Sequence, residues 1–166
     1  CLEARKGLTI ENLIVVRGCG VLATGVIQQL QRTGFPVLLL ETEKPTAIRR
    51  TVSLCEAVYE GAAQVEDILC RHIQNPAQIA DCHIQNQVPL LVDPKGESIQ
   101  LLRPAGVVDA ILAKRNLGTH RAMAPVTIAL GPGFAAGKDV DAVIETMRGH
   151  DLGRLILQGA AMPNTG

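Results

Sequence analysis

The run Leu13-Ile14-Val15-Val16-Arg17, followed by Gly18-Cys19-Gly20-Val21-Leu22-Ala23-Thr24-Gly25, constrains the fold of this chain more than any other stretch. Its apolar, β-branched half suits a strand buried on both faces of a parallel sheet. The second half continues into Val26-Ile27-Gln28-Gln29-Leu30, which has the spacing of an amphipathic helix. Strand, glycine turn and helix in that order open a βαβ unit. Gly18 and Gly20 let the backbone turn sharply and approach a ligand, and Ala23 supplies a third small residue for close helix–strand packing. The helix start then directs free N–H groups and a positive dipole end at whatever lies over the turn, which favours a phosphate. The spacing is G-x-G-x-x-A, and it makes Gly18, Cys19, Gly20, Ala23 and Thr24 candidate cofactor-binding residues. A purely structural turn of an α/β domain needs the same glycines. Glu41 favours the functional reading, because it closes the next apolar run, Phe35 to Leu40, where a carboxylate can accept hydrogen bonds from a ribose.

Composition supports that architecture. Hydrophobic residues make up 47% of the 166 and aromatics only 2%, so the core is built from Leu, Ile, Val and Ala, as in the sheet of an α/β fold. The length suits one domain, 1–166, with a Rossmann-like, mostly parallel sheet and flanking helices. Sixteen basic and sixteen acidic residues cancel, which argues against a nucleic-acid surface while leaving room for a local anion pocket. No apolar run approaches the roughly 20 residues of a membrane span. The start lacks a signal-peptide pattern, so a cytoplasmic location is the expectation. Five scattered cysteines, an odd number, point to reduced thiols rather than a disulfide framework. A start at Cys1 and an end at Pro163-Asn164-Thr165-Gly166 give the chain the look of a fragment of a longer protein.

In chain order, strands are expected over 12–17 and 36–41 with a helix over 22–33 between them. A short helix is expected over 53–59, a strand over 64–73, a helix from Asn75-Pro76 to about 86 and a strand over 88–92. Asp93-Pro94-Lys95-Gly96 reads as a turn between strands. Further strands follow at 107–112 and 124–130, and 141–146 and 152–157 read as a hairpin across Arg148-Gly149-His150-Asp151.

Three more stretches bear on chemistry. Arg49 and Arg50, among hydroxyls just past the second strand, offer guanidinium forks for phosphate or carboxylate oxygens, or else a solvated helix start. Lys114, Arg115 and Asn116, with Gly118 and Thr119, follow the 107–112 strand as an anion-binding loop or a charged surface loop. Gly131 and Gly133 follow the 124–130 strand in Gly-Pro-Gly-Phe-Ala-Ala-Gly-Lys, whose spacing does not fit a P-loop because Pro132 and Asp139 occupy its required positions. In a parallel sheet all these turns open on one edge. Cys70, His72, Cys82 and His83 have awkward geometry for a tetrahedral metal site, so no metal is expected. No nucleophile–base arrangement or carboxylate pair is legible, and His150 alone in a polar turn reads as solvated. The profile suits a protein that holds a phosphorylated cofactor more than one that transforms a substrate.

Taken together, Val15 to Gly25, Ile48 to Ser53 with Glu56 to Gly61, Val108 to Thr119, and Leu130 to Thr146 with Arg148-Gly149-His150 resemble the YqeB-type accessory proteins of the selenium-dependent molybdenum hydroxylase system. The resemblance covers nearly the whole chain. It implies a maturation factor akin in role to the XdhC-type chaperones, a molybdopterin-type cofactor, in its dinucleotide form or not, and a molybdenum hydroxylase apoenzyme as partner. It carries over no catalytic residue. The family pattern in the first turn is Gly-Gly-Gly-Asp-Leu-Ala-Thr-Gly, and here Cys19 and Val21 replace the middle glycine and the aspartate. Cys19, in a turn before a helix, is a conceivable sulfur or selenium carrier. Two other readings stand beside this one. An NAD(P)-dependent oxidoreductase would rest on G-x-G-x-x-A and Glu41, and a protein–protein adaptor would use the fold without a ligand.

Overall fold

Side chains alternate along a strand, so each apolar run can supply both faces of one sheet. In the computed structural model, which describes residues 12–18, 21–41, 57, 61–65, 68–93, 96–111, 119–131, 133–146 and 155–161, this happens strand by strand. Val16, Leu39, Leu90 and Val108 join one buried cluster, while their neighbours Val15, Leu38, Leu91 and Val107 join the other.

The described elements are β1 (Ile14–Arg17), α1 (Val21–Arg32), β2 (Val37–Glu41), β3 (Ala62–Val65) and β4 (Ile68–Ile73). A 3-10 turn at Pro76–Gln78 then leads into α2 (Ile79–Ile84), followed by β5 (Val88–Val92), α3 (Glu97–Leu102) and β6 (Gly106–Asp109). After a second 3-10 turn at Arg121–Met123 come β7 (Val126–Leu130), β8 (Ala142–Ile144) and β9 (Leu155–Ile156). They build one nine-stranded sheet in the order β3-β4-β5-β2-β1-β6-β7-β8-β9. All neighbours from β4 to β8 are parallel, and β3 and β9 add antiparallel edges.

Helices cover both faces. Ala23 and Ile27 of α1 pack fully buried on the first cluster, with Val26 and Leu30 beside them. Ile79 and Cys82 of α2 and Ile99 and Leu102 of α3 pack on the second. This is the doubly wound α/β arrangement expected from the sequence. A third, smaller cluster of Ala129, Phe134, Ala136, Val140, Val143 and Ala161 extends it past β7. No described helix is long and apolar enough to cross a membrane.

The structure corrects three local expectations. The segment 64–73 is not one strand: β3 and β4 lie antiparallel, with Val65 opposite Ile68, so the chain reverses between them. The 107–112 strand ends at Asp109. The Asp93–Gly96 turn leads into a helix rather than a strand, because Asp93 caps α3. Its carboxylate accepts from the backbone N–H of Glu97 (3.1 Å) and of Ser98 (2.8 Å) and from the Ser98 hydroxyl. The expected hairpin of 141–146 and 152–157 is present as β8 and β9, with Val143 opposite Ile156.

Gly25 lies inside α1 with no atom within 4 Å of the place a Cβ would occupy. A helix-interior glycine costs backbone entropy on folding, so Gly25→Ala is expected to stabilise the protein by about 0.5–1 kcal/mol. The check is the midpoint of urea unfolding, which should rise with an unchanged slope.

Candidate functional site at the carboxyl edge of the sheet

In an open parallel sheet the carboxyl ends of the strands form the ligand edge, and the crevice falls where the strand order reverses. Here the chain runs from β1 outward through β2, returns by β5, and crosses to β6 on the other side of β1. The reversal therefore lies between β1 and β6. Gly18 stands there, three residues ahead of α1.

Backbone hydrogen bonds stitch the strand ends into a row. Gly18 N–H donates to the Leu40 carbonyl (2.9 Å), Asp93 N–H to that of Glu41 (2.9 Å), Ala110 N–H to that of Arg17 (2.8 Å) and Gly131 N–H to that of Ile144 (2.9 Å). Gly18, Glu41 and Gly131 therefore share one edge, as the sequence predicts, with Gly18 and Glu41 on neighbouring strand ends. Glu41 is half-buried at the end of β2. Thr24 is buried in the first turn of α1, and Ala23 is fully buried against the sheet, which is the close helix–strand contact expected of the third small residue. Gly133 is exposed, with φ near +104°. Cys19, Gly20, Arg49, Arg50, Lys114, Arg115, Asn116 and His150 lie outside the described residues.

Gly18 meets a structural need at this position. Its φ is +102°, and a Cβ added there would lie 2.8 Å from the Ala110 carbonyl oxygen and 3.1 Å from Ile111 Cα. The space that a side chain would fill is occupied by backbone leaving β6, so this glycine is needed for the sheet to close at the reversal. The 131–138 segment is likewise tied down. Phe134 and Ala136 are buried in the third cluster. Ala136 N–H donates to the Gly159 carbonyl (2.6 Å), Gly137 N–H to that of Val140 (2.7 Å), and Asp139 accepts from Ala135 N–H (2.9 Å).

The site also contains a network that the sequence reading missed. Arg17 ends β1 and Asp109 ends β6 at the same register, on the face toward α3. Arg17 Nη1 donates to Thr119 Oγ1 at 2.7 Å, and that hydroxyl donates to Asp109 Oδ2 at 2.6 Å. Asp109 Oδ1 accepts from Ile111 N–H at 3.1 Å. Arg17, Thr119 and Asp109 are 2%, 0% and 1% exposed, so a charge-assisted network lies directly beneath the reversal point. In the sequence Arg17 closes one apolar run and Asp109 interrupts another.

Two acidic groups at this edge, Asp93 and Asp109, are committed to structure. Burial works to raise the Asp93 pKa. Hydrogen bonds from the Ser98 hydroxyl and from the Ser98, Glu97 and Gly96 N–H groups outweigh it and hold the carboxyl below its ordinary 3.8. Stability from a depressed carboxyl is complete above the unfolded value and is lost as pH falls through the folded one. Ser98→Ala removes a donor and brings the two values together. It should therefore lower stability near neutral pH by about 1 kcal/mol and shrink the loss on acidification, read as urea midpoints across the acid range.

Cys70 and Cys82 belong to different core clusters, and His83 Nε2 lies 3.0 Å from the Val37 carbonyl oxygen, so the structure does not assemble the four residues weighed for a metal. Burial pushes both thiols up. Among the described residues no group of three or more His, Cys, Asp or Glu is placed to hold a metal ion.

Fold and edge together define a doubly wound α/β protein with a glycine turn at its reversal point. In sequence, the chain is 51% identical over 155 residues, 93% of its length, to the uncharacterized protein YqeB of Escherichia coli (strain K12). The chain is thus similar to that protein over almost all of its own residues, and it spans 29% of that relative's length. No family model and no solved structure matches it.

Proposed function

We propose that this chain is the cofactor-holding part of an accessory protein for molybdenum hydroxylase maturation, and that it binds a phosphorylated, molybdopterin-type cofactor at the β1/β6 reversal. The observation that carries the reading is the placement of the Gly18 turn, ahead of a twelve-residue helix, at the reversal point of a doubly wound sheet. Similarity to YqeB over 93% of the chain supports the family context from which the cofactor and the apoenzyme partner are inferred. Two carboxylates at the edge, Asp93 and Asp109, support holding rather than transforming. Asp93 caps α3 and Asp109 serves Thr119 and Ile111, so neither is poised over the crevice as an acid or base. The expected location is the cytoplasm.

Glu41 favours a second reading. A half-buried carboxylate at the end of β2, beside the Gly18 turn, occupies the place from which dinucleotide enzymes hold a ribose, so NAD(P) is the rival ligand. Titration of the purified protein with molybdopterin and, separately, with NAD distinguishes the two. Tight binding of molybdopterin with none of NAD is expected, and the reverse order would overturn the proposal in favour of a nicotinamide protein.

A further inference from the structure

On the face of the sheet opposite α1, α3 forms one wall and residues 120–125 the other of a cleft of about 790 Å³. That volume falls within the range of pockets that enclose whole small molecules and far exceeds what an inorganic anion fills. Both walls are fixed from behind. Asp93 caps α3, and Arg121 ties the other wall to Asp141 (3.0 Å) and to the Gly137 carbonyl (2.9 Å). Met123 supplies apolar surface, while Glu97, Gln100, Arg103 and His120 supply polar groups, of which Arg103 is the one guanidinium.

Arg103 is the unusual residue. It follows the last turn of α3 with φ near +48°, and its N–H closes the helix on the Ile99 carbonyl at 3.0 Å. Glycine is the residue favoured in that left-handed position, since a Cβ there is strained. The chain instead keeps an exposed guanidinium where the backbone would be better served without a side chain, at the lip of a preformed cleft. Strain retained at a cleft is a mark of functional use. A guanidinium matches phosphate or carboxylate oxygens in bidentate geometry.

We infer that this cleft is a second binding site, for an acidic organic molecule of nucleotide size. Arg103 holds its phosphate or carboxylate and Met123 lies along its body. The site is built on α3 and 120–125, not on the β1–α1 turn, and it stands or falls independently of the cofactor reading. The test is titration of the 15N-labelled protein with GMP at millimolar concentration, with inorganic phosphate as the anion-only control. GMP is expected to move the amides of Ile99, Arg103, His120 and Met123, and phosphate alone to bind far more weakly. Arg103→Gly should be at least as heat-stable as the parent yet bind GMP about tenfold more weakly. Ala122→Trp, which fills the cleft from an exposed position, should abolish the shifts. Shifts confined to Gly18 and the start of α1, no shifts at all, or Arg103→Gly and Ala122→Trp binding GMP like the parent would each overturn the inference.

Discussion

Gly18→Ala is expected to lower stability by roughly 3–5 kcal/mol and the melting temperature by roughly 10 °C. Two effects add. The residue sits at φ +102°, where an L side chain is strained, and the new Cβ would come within 2.8 Å of the Ala110 carbonyl oxygen. That oxygen is backbone, and Ala110 is fixed by its own N–H bond to the Arg17 carbonyl, so it cannot swing aside. Relief would require β1 and β6 to separate at the centre of the sheet. Urea unfolding of Gly18→Ala beside Gly25→Ala makes the comparison, since the same methyl added inside α1 meets nothing and is expected to stabilise. It follows that lost ligand binding in Gly18→Ala would report a distorted sheet edge as readily as a lost contact.

Thr119→Val should cost about 2–4 kcal/mol although it barely changes volume. The hydroxyl is the link by which Arg17 reaches Asp109, and all three side chains are at least 98% buried. Valine leaves a buried donor on Arg17 and a buried acceptor on Asp109 each short of one partner. Thr119→Ser, which keeps the hydroxyl and drops a methyl, should recover most of the loss, and Asp109→Asn should fall between the two. Denaturant midpoints with an unchanged slope would show the effect. A Thr119→Val protein as stable as the parent would mean that the network contributes nothing to the fold.

The parts of this structure that were legible in the sequence are those encoded by neighbouring residues. Continuous apolar runs marked β1, β2 and β5. Helical spacing marked α1 to within a residue at each end. The glycine turn and Glu41 were placed on adjacent strand ends by a spacing that depends only on one βαβ unit. What escaped depends on long-range register. Arg17 and Thr119 are 102 positions apart, and only the pairing of β1 with β6 brings them together. The role of Gly18 was half legible: its need for a positive φ follows from the turn, but the Ala110–Ile111 backbone that fills the space above it belongs to another strand. Asp93 was misread because Asp-Pro-Lys-Gly is turn chemistry in either setting. Capping was signalled only by Glu97 and Ser98 lying four and five residues on, where their N–H groups could reach it.

We propose that the reversal between β1 and β6 holds a phosphorylated, molybdopterin-type cofactor. Native mass spectrometry of the protein purified from cells that make that cofactor tests it most directly, with the released small molecules identified by their own masses. One phosphorylated pterin per chain is the expected result. A chain that carries NAD(P) in its place, or that emerges with no ligand from cells rich in the cofactor, would contradict it.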